Sequence, residues 1–188
     1  MPNADIPRRP VRLDQDDLVL RAFGDQDVAA VVAAFADPEI GRWNAGPTGL
    51  DPTVEARGWI GHRADWSGGD HASWAISNPD GTMLGSMSLF HVSAEQLDGE
   101  VGYWVTPQAR GHGVAARAVR LVAEWAFTSL GLHRLVLFHA AENIASCRTA
   151  ERAGFQPEGT LRQSHRYGDG QFHDEHLHAR LDTDERPQ

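Results

Sequence analysis

Apolar residues in the first half of the chain recur with the periods of short strands and amphipathic helices. Residues 18–23 form an apolar, β-prone run, and apolar side chains then repeat at helical spacing over residues 28–35. The pair Asp37-Pro38 ends this helix, because the residue before a proline avoids the helical conformation. A second amphipathic helix is predicted around residues 59–66, so two helices precede the main sheet.

The middle of the chain predicts a hairpin followed by a parallel pair of strands. Residues 73–77 and 83–91 flank the turn sequence Asn-Pro-Asp-Gly at 78–81, which is typical of a β-hairpin. A strand over 100–106, an amphipathic helix after a glycine-containing loop, and a nearly continuous apolar run over 134–139 come next. The order strand, helix, strand implies that the two strands run parallel.

The last part of the chain predicts a short helix and a closing hairpin. The helix covers residues 145–153 and stops at Gly154, a residue suited to a left-handed C-terminal cap. Strands over 161–167 and 171–181 flank Gly168-Asp169-Gly170, which can form a tight turn. These strands are therefore expected to pair antiparallel.

Length and composition favour one domain with no nucleic-acid or membrane partner. The 188 residues, 41% of them hydrophobic, bury one sizeable core. We expect a flexible N-terminal leader at 1–17, a single domain at 18–182 and a tail at 183–188. The net charge of −9 opposes binding to phosphate backbones, and no run approaches the ~20 apolar residues of a membrane helix. A single cysteine, Cys147, excludes an internal disulfide and fits a cytoplasmic location.

Candidate chemistry lies in residues 108–115, with the sequence Gln-Ala-Arg-Gly-His-Gly-Val-Ala. The segment connects a predicted strand to a long amphipathic helix. Unpaired backbone amides and the helix dipole make such a helix start an anion site, and glycines let an anion approach the backbone closely.

The segment resembles the pyrophosphate loop of the GNAT acetyltransferases, which reads Gln/Arg-x-x-Gly-x-Gly/Ala and fits here in two overlapping frames. Its surroundings also match: Glu-Val-Gly-Tyr-Trp-Val-Thr at 100–106, Asn-Ile-Ala-Ser at 143–146 and Glu-Arg-Ala-Gly-Phe at 151–155. This ordered set is similar to the RimJ/RimL-like branch, which includes ribosomal-protein-alanine N-acetyltransferases. The resemblance extends from about residue 18 to residue 181.

The resemblance implies a fold and an activity. The fold would be α/β (α+β), a mixed, mostly antiparallel seven-stranded sheet with about four helices, in which two central parallel strands splay apart around the pantetheine arm. The enzyme would move an acetyl or other acyl group from acyl-CoA to a primary amine by direct attack. The acceptor would be a protein N-terminus or a small molecule. Many members of the family form dimers, so a homodimer is one expectation, although no interface can be identified from the sequence.

The resemblance also assigns residues to coenzyme A. The backbone of the loop would hold the pyrophosphate, the strand before it would pair with pantetheine, and the helix start near residue 143 would lie close to the sulfur. The residues are Trp104, Val105, Gln108, Arg110, Gly111, His112, Gly113, Val114, Ala115, Asn143 and Ser146.

The resemblance further assigns catalytic roles to Glu100, Asn143 and Ser146. Glu100 is the first choice for the base that deprotonates the amine, and a solvent-exposed glutamate at the start of a strand is the alternative. Ser146 could protonate the leaving thiolate, whereas a plain N-cap role would also explain Asn143 and Ser146. Many family members use a tyrosine as the acid, and neither Tyr103 nor Tyr167 falls at that place in the sequence.

No metal site is expected. His176 and His178 could share one face of a strand, but His173 could not, and solvated strand histidines explain all three. Cys147 is interpreted as a small packing residue. Tryptophans 43, 59 and 66 could line a substrate groove.

Two other functions remain as alternatives. The glycines of the loop also satisfy a dinucleotide-binding fingerprint, but five residues separate the strand from the first glycine, and no acidic residue follows about 20 residues later. A CoA-binding sensor or partner module without turnover is the second alternative, and Glu100, Asn143 and Ser146 argue mildly against it.

Overall fold

The computed structural model describes residues 5–44 and 51–186, and strands dominate it. The strands are β1 (Leu13–Gln15), β2 (Leu18–Arg21), β3 (His71–Ser77), β4 (Met83–Ser93), β5 (Asp98–Val105), β6 (Arg134–Ala140), β7 (Gln156–Arg166) and β8 (Phe172–Leu181). They form one sheet in the order β1-β2-β3-β4-β5-β6-β8-β7. The pairs of neighbouring strands are antiparallel, except β5 with β6. The predicted mixed sheet is confirmed, and the described residues contain eight strands where seven were predicted.

Helices cover both faces of this sheet. They are α1 (Val28–Phe35), α2 (Pro38–Trp43), α3 (Pro52–Ala64), α4 (Val114–Trp125), which continues as a π-helical turn to Leu130, and α5 (Ile144–Arg152). Residues of α4 and α5 share one hydrophobic cluster with the sheet. Residues of α1, α2 and α3 share a second cluster, which contains Trp104. Strands β3, β4 and β5 therefore contribute side chains to both clusters.

Two helix starts differ from the prediction. Asp37-Pro38 ends α1 but also begins α2: the Asp37 carboxylate accepts from the Ile40 amide at 3.0 Å, with Pro38 in the first turn. In the same way α3 begins at Pro52, well before residue 59, because the Asp51 carboxylate accepts from the amide of Thr53 at 2.9 Å. Aspartate as N-cap followed by proline is a strong helix-start signal, and it overrides the weak apolar periodicity of these segments.

The parallel strands β5 and β6 pair over a short stretch only. Their register runs from Asp98 opposite Arg134 to Glu100 opposite Val136. Beyond Glu100, β5 continues along β4, whereas β6 continues along β8. The strands therefore part after Glu100, which confirms the predicted splay and opens a gap in the middle of the sheet.

Part of the segment predicted as a flexible leader contacts the domain. Ile6 is 3% exposed and belongs to the cluster under α4, and β1 extends the sheet beyond β2. The Trp74 indole also donates to the carbonyl of Val11 at 2.7 Å. Residues 5–17 thus add apolar and backbone contacts at one edge of the sheet, while the proposed boundary at residue 18 stays a prediction. Across the described residues, no helix has both the length and the apolar character required to cross a membrane.

Candidate active site

A cleft of about 550 Å³ fills the gap where β5 and β6 separate. The N-terminus of α4 forms one end of it, and α5 and the end of α2 form its walls. Among the residues assigned to coenzyme A, nine line this cleft: Trp104, Val105, Arg110, Gly111, Gly113, Val114, Ala115, Asn143 and Ser146. Gln108 and His112 are exposed on the same loop and are not among the lining residues.

The loop before α4 has the backbone shape of an anion site. Gly111 and Gly113 have φ values of 79° and 74°, in the left-handed region that favours glycine. Gly113 is the N-cap of α4, so no side chain occupies the position in front of the first helical amides. A Cβ atom built on either glycine would meet no protein atom within 4 Å. The helix start therefore faces open space, where its dipole and amides favour a negative group.

Arg110 takes part in an ion pair beside this open space. Its guanidinium contacts Asp37, the N-cap of α2, and this interaction lowers the pKa of the Asp37 carboxyl. Arg110 thereby links the loop to the helix that borders the cleft. Since this charge already has a partner, the backbone amides of the loop are more available to an anion than the Arg110 side chain is.

The part of β5 that borders the cleft packs against α1 and α3. Trp104 packs against Phe35 and Trp59, with ring centroids 5.9 and 6.0 Å apart. Because the β6 register ends at Glu100, the backbone edge of β5 toward β6 borders the cleft from there on. This edge can pair with an extended amide-containing chain such as pantetheine.

Asn143 and Ser146 meet at the start of α5. The Asn143 side chain accepts from the Ser146 amide at 3.1 Å, so the predicted N-cap role is observed. Both residues also line the cleft, and the cap interaction fixes where the serine hydroxyl lies.

Tyr103 is a site residue that the sequence reasoning missed. Its hydroxyl lies 2.7 Å from the Ser146 hydroxyl, and its ring lines the cleft. Burial raises the pKa of Tyr103, so the phenol stays protonated at neutral pH. The alternation of β5 contained the signal, since Val101, Tyr103 and Val105 must share the face that α5 covers.

Glu100 lies at the point where the strands part and is not among the lining residues of the cleft. Its carboxylate is 3.2 Å from His91 Nδ1. Burial raises the pKa of Glu100, and the nearby carboxylate of Glu175 raises it further. Glu175 is itself buried, where it accepts from the hydroxyls of Tyr167 at 2.9 Å and Ser164 at 2.7 Å. Burial, followed by Glu175, raises the pKa of Tyr167.

Aromatic rings form one end of the cleft. Trp43 packs edge-on against Tyr167 and His173, each with a centroid distance of 5.7 Å. Trp43 lines the cleft, and its part in a substrate groove stays a prediction. Trp66 does not line the cleft, because it is 1% exposed and packs on Trp74 in the core. Trp59 belongs to α3, and its ring packs on Phe23 and Phe35; it is not among the residues that line the cleft.

The comparison with protein families agrees with this geometry. Residues 17–156 match the family described as "Acetyltransferase (GNAT) domain", which is well over half of the chain. The chain belongs to the GNAT family. It is an acetyl-CoA-dependent N-acetyltransferase.

Individual relatives of this GNAT enzyme extend the match to most of its length. The uncharacterized N-acetyltransferase YoaA of Bacillus subtilis is 28% identical over 169 residues, 89% of this chain and 94% of the relative. A solved RimL, a ribosomal L7/L12 alpha-N-protein acetyltransferase in complex with coenzyme A, has a TM-score of 0.81 at 21% identity, over 93% of this chain and 100% of its own. Mycobacterium smegmatis RimJ in complex with CoA-disulfide has a TM-score of 0.79 at 25% identity, over 95% of this chain and 89% of its own.

Proposed function

We propose that this GNAT enzyme acetylates a primary amine in the cleft between β5 and β6, in the manner of the RimJ/RimL-like branch. The diphosphate of acetyl-CoA would lie on the amides at the start of α4, and pantetheine would extend along the free edge of β5. The thioester would then lie beside Tyr103 and Ser146. One observation carries the proposal: a single cleft joins the glycine loop to the Tyr103–Ser146 pair.

The proposed reaction is a direct displacement at the thioester. The neutral amine attacks the carbonyl carbon, a C–N bond forms, the C–S bond breaks, and the thiolate of coenzyme A leaves. The amide nitrogen then loses its extra proton to solvent. A base must first remove a proton from the ammonium group, and Glu100 is our choice because its raised pKa suits proton uptake. The Tyr103–Ser146 pair would donate a hydrogen bond to the leaving thiolate.

We favour a protein N-terminus as the acceptor. The RimJ likeness covers 95% of this chain, and the ribosomal-protein-serine acetyltransferase of Escherichia coli is 28% identical over 99 residues, 53% of this chain. The spermidine N(1)-acetyltransferase of the same organism is 30% identical but over only 44% of this chain. A polyamine is therefore the competing acceptor. The cytoplasmic location and the homodimer stay predictions.

The test is acceptor-dependent release of coenzyme A thiol from acetyl-CoA. The panel contains peptides with a free N-terminal alanine or serine, the same peptides with a blocked N-terminus and an internal lysine, and spermidine. We expect turnover with the free N-termini and not with their blocked counterparts. Turnover with spermidine alone would overturn the choice of acceptor. Binding of acetyl-CoA without turnover on any amine would instead favour the sensor module.

A further inference from the structure

Three histidines and the single cysteine converge on the face of the sheet under α5. His139 comes from β6, His176 and His178 come from β8, and Cys147 comes from α5. Each offers one potential ligand atom, and these atoms all lie within 4.8 Å of one another. The proposed acetyl transfer assigns no role to this group of four residues.

The register of the sheet explains why the four side chains meet. His139 is directly opposite His176, and His178 is opposite Leu137, so the three imidazoles share one face. Helix α5 crosses this face and brings the Cys147 sulfur to 4.0 Å from His178 Nε2. His173 is not a member, in agreement with the alternation, since it contacts Asp169 and Glu142.

The hydrogen bonds of the two buried histidines leave their Nε2 atoms available. His139 and His178 are 3% and 1% exposed. Their Nδ1 atoms face the carbonyl oxygens of Ala140, at 2.8 Å, and Phe155, at 3.4 Å. A carbonyl oxygen only accepts, so each Nδ1 must carry the hydrogen, and in the neutral ring each Nε2 holds a lone pair. A carbonyl acceptor behind the ring is the usual outer shell of a metal-ligating histidine.

One of these atoms is unsatisfied in a way that points to a ligand. Within the described part of the chain, His139 Nε2 is buried and has no hydrogen-bond partner. Leaving a buried polar atom without a partner costs about 1–3 kcal/mol, so such atoms are rare unless something binds them.

We propose that His139, Cys147, His176 and His178 bind one divalent transition-metal ion, with zinc as the best match. Imidazole nitrogen and thiolate sulfur are both donors that zinc binds, and four such donors complete its tetrahedral coordination. Zinc bonds of about 2.0–2.3 Å place tetrahedral donors about 3.3–3.8 Å apart, so the present donor atoms must approach one another by up to about 1.5 Å. Coordination converts the Cys147 thiol to the thiolate and releases its proton to solvent.

The ion would connect α5 to β6 and β8 beside the acetyl-transfer cleft. Cys147 directly follows Ser146, and His139 lines the cleft. A metal that fixes Cys147 would therefore also fix the helix turn that presents the serine hydroxyl. The site is inferred from its own geometry and requires no step of the proposed reaction.

The test uses chelator-treated protein without a polyhistidine tag, titrated with Co²⁺ as a spectroscopic substitute for zinc. We expect one ion per chain, visible bands of tetrahedral cobalt, and a thiolate-to-cobalt charge-transfer band. Cys147→Ser should abolish the charge-transfer band. His139→Gln should weaken binding by more than about tenfold, since loss of an outer-shell partner alone typically costs 10–100-fold. The matched control, His133→Gln, changes an exposed histidine just before the same strand and should leave the titration unchanged.

Several results would overturn the proposal. They are the absence of stoichiometric cobalt binding, a charge-transfer band that survives in Cys147→Ser, and equal weakening by His139→Gln and His133→Gln. Circular dichroism of every variant checks the fold, and the half-exposed His176→Gln replaces His139→Gln if the buried substitution unfolds the chain. Zinc should also raise the thermal midpoint of the wild type and not that of Cys147→Ser. The amine panel is read separately, so a failure there leaves this result intact.

Discussion

Tyr103 and Ser146 share one hydrogen bond. The pKa of the Tyr103 phenol, compared with that of the leaving thiol, decides what the pair can do. The thiol of coenzyme A ionises near the ordinary thiol value of about 8.5, whereas burial raises the pKa of Tyr103 above its usual value of 10.0. Full proton transfer from this phenol to the thiolate is therefore uphill. The pair is better suited to stabilise the developing negative charge through a hydrogen bond, with solvent supplying the proton after departure.

Removal of the phenol hydroxyl should therefore slow the chemical step. We expect Tyr103→Phe to lower kcat by about 10²-fold, the scale of one lost oxyanion-type donor, with little change in KM for acetyl-CoA. Ser146→Ala should have a similar effect. Because the hydroxyls act as a unit, the double variant should lose little more than either single variant. Steady-state kinetics on all four proteins measure this, and fully additive losses would show that the two hydroxyls act separately.

Glu100 should determine the acidic limb of the pH profile. A carboxylate acts as a base only when ionised, and its raised pKa means that it takes up its proton above the ordinary value of 4.5. Activity should thus fall as the pH falls through that raised pKa. Glu100→Gln should lower kcat/KM by about 10²–10⁴-fold and remove this limb.

The exposed Glu95 in the loop before β5 provides the control for this experiment, because Glu95→Gln changes a carboxylate that is open to solvent. Its pH profile should match that of the wild type. If Glu100→Gln kept the acidic limb and Glu175→Gln lost it, the buried carboxylate bonded to Tyr167 would be the base instead.

At the scale of elements, we expect cofactor binding to depend on the start of α4. Gly113→Glu should abolish binding of coenzyme A, because the new side chain fills the open space before the helix and adds a negative charge next to the diphosphate. Gly69→Glu is a matched control: Gly69 has a φ of 72°, and a Cβ added there would also meet no protein atom within 4 Å, but the residue lies outside the cleft lining. Calorimetry should detect binding to the control only. Equal affinity in both variants would contradict the phosphate site.

The elements show which features a single sequence carries. Apolar periodicity and turn residues sufficed for the central strands, the closing hairpin and the glycine loop, because these signals are local. Helix α2 was missed although Asp37-Pro38 marks its start, since six residues carry too little periodicity to be recognised. Contacts between distant elements had no local signal. Residues 139 and 147 meet 176 and 178 only through the β6–β8 register and the crossing of α5.

At the scale of the whole molecule, the cleft exists because other contacts hold the two halves of the sheet together where β5 and β6 do not. Helix α4 packs across this region, and its Glu124 accepts from Arg180 of β8 at 2.7 Å. The Arg180 side chain is 2% exposed, whereas that of Glu124 is 32% exposed and also contacts Arg186. The ion pair therefore ties the helix that begins at the glycine loop to the strand that carries two of the clustered histidines.

Breaking this pair from its two ends should give different results. Glu124→Ala leaves a buried guanidinium without its carboxylate and should lower the free energy of unfolding by about 2–3 kcal/mol, less than the 3–5 kcal/mol of a fully buried pair because Glu124 is partly exposed. Arg180→Met removes the charge and keeps the apolar stem, so it should cost less than about 1.5 kcal/mol. Asp17→Ala breaks an exposed ion pair with Arg117, a residue of α4 like Glu124. This variant should leave the urea midpoint nearly unchanged. Urea unfolding of the three variants measures the order of their losses in the free energy of unfolding. If Arg180→Met were the most destabilising variant, the attraction between the two charges would outweigh the cost of burying them. The ion pair would then stabilise the fold across the separated strands β5 and β6.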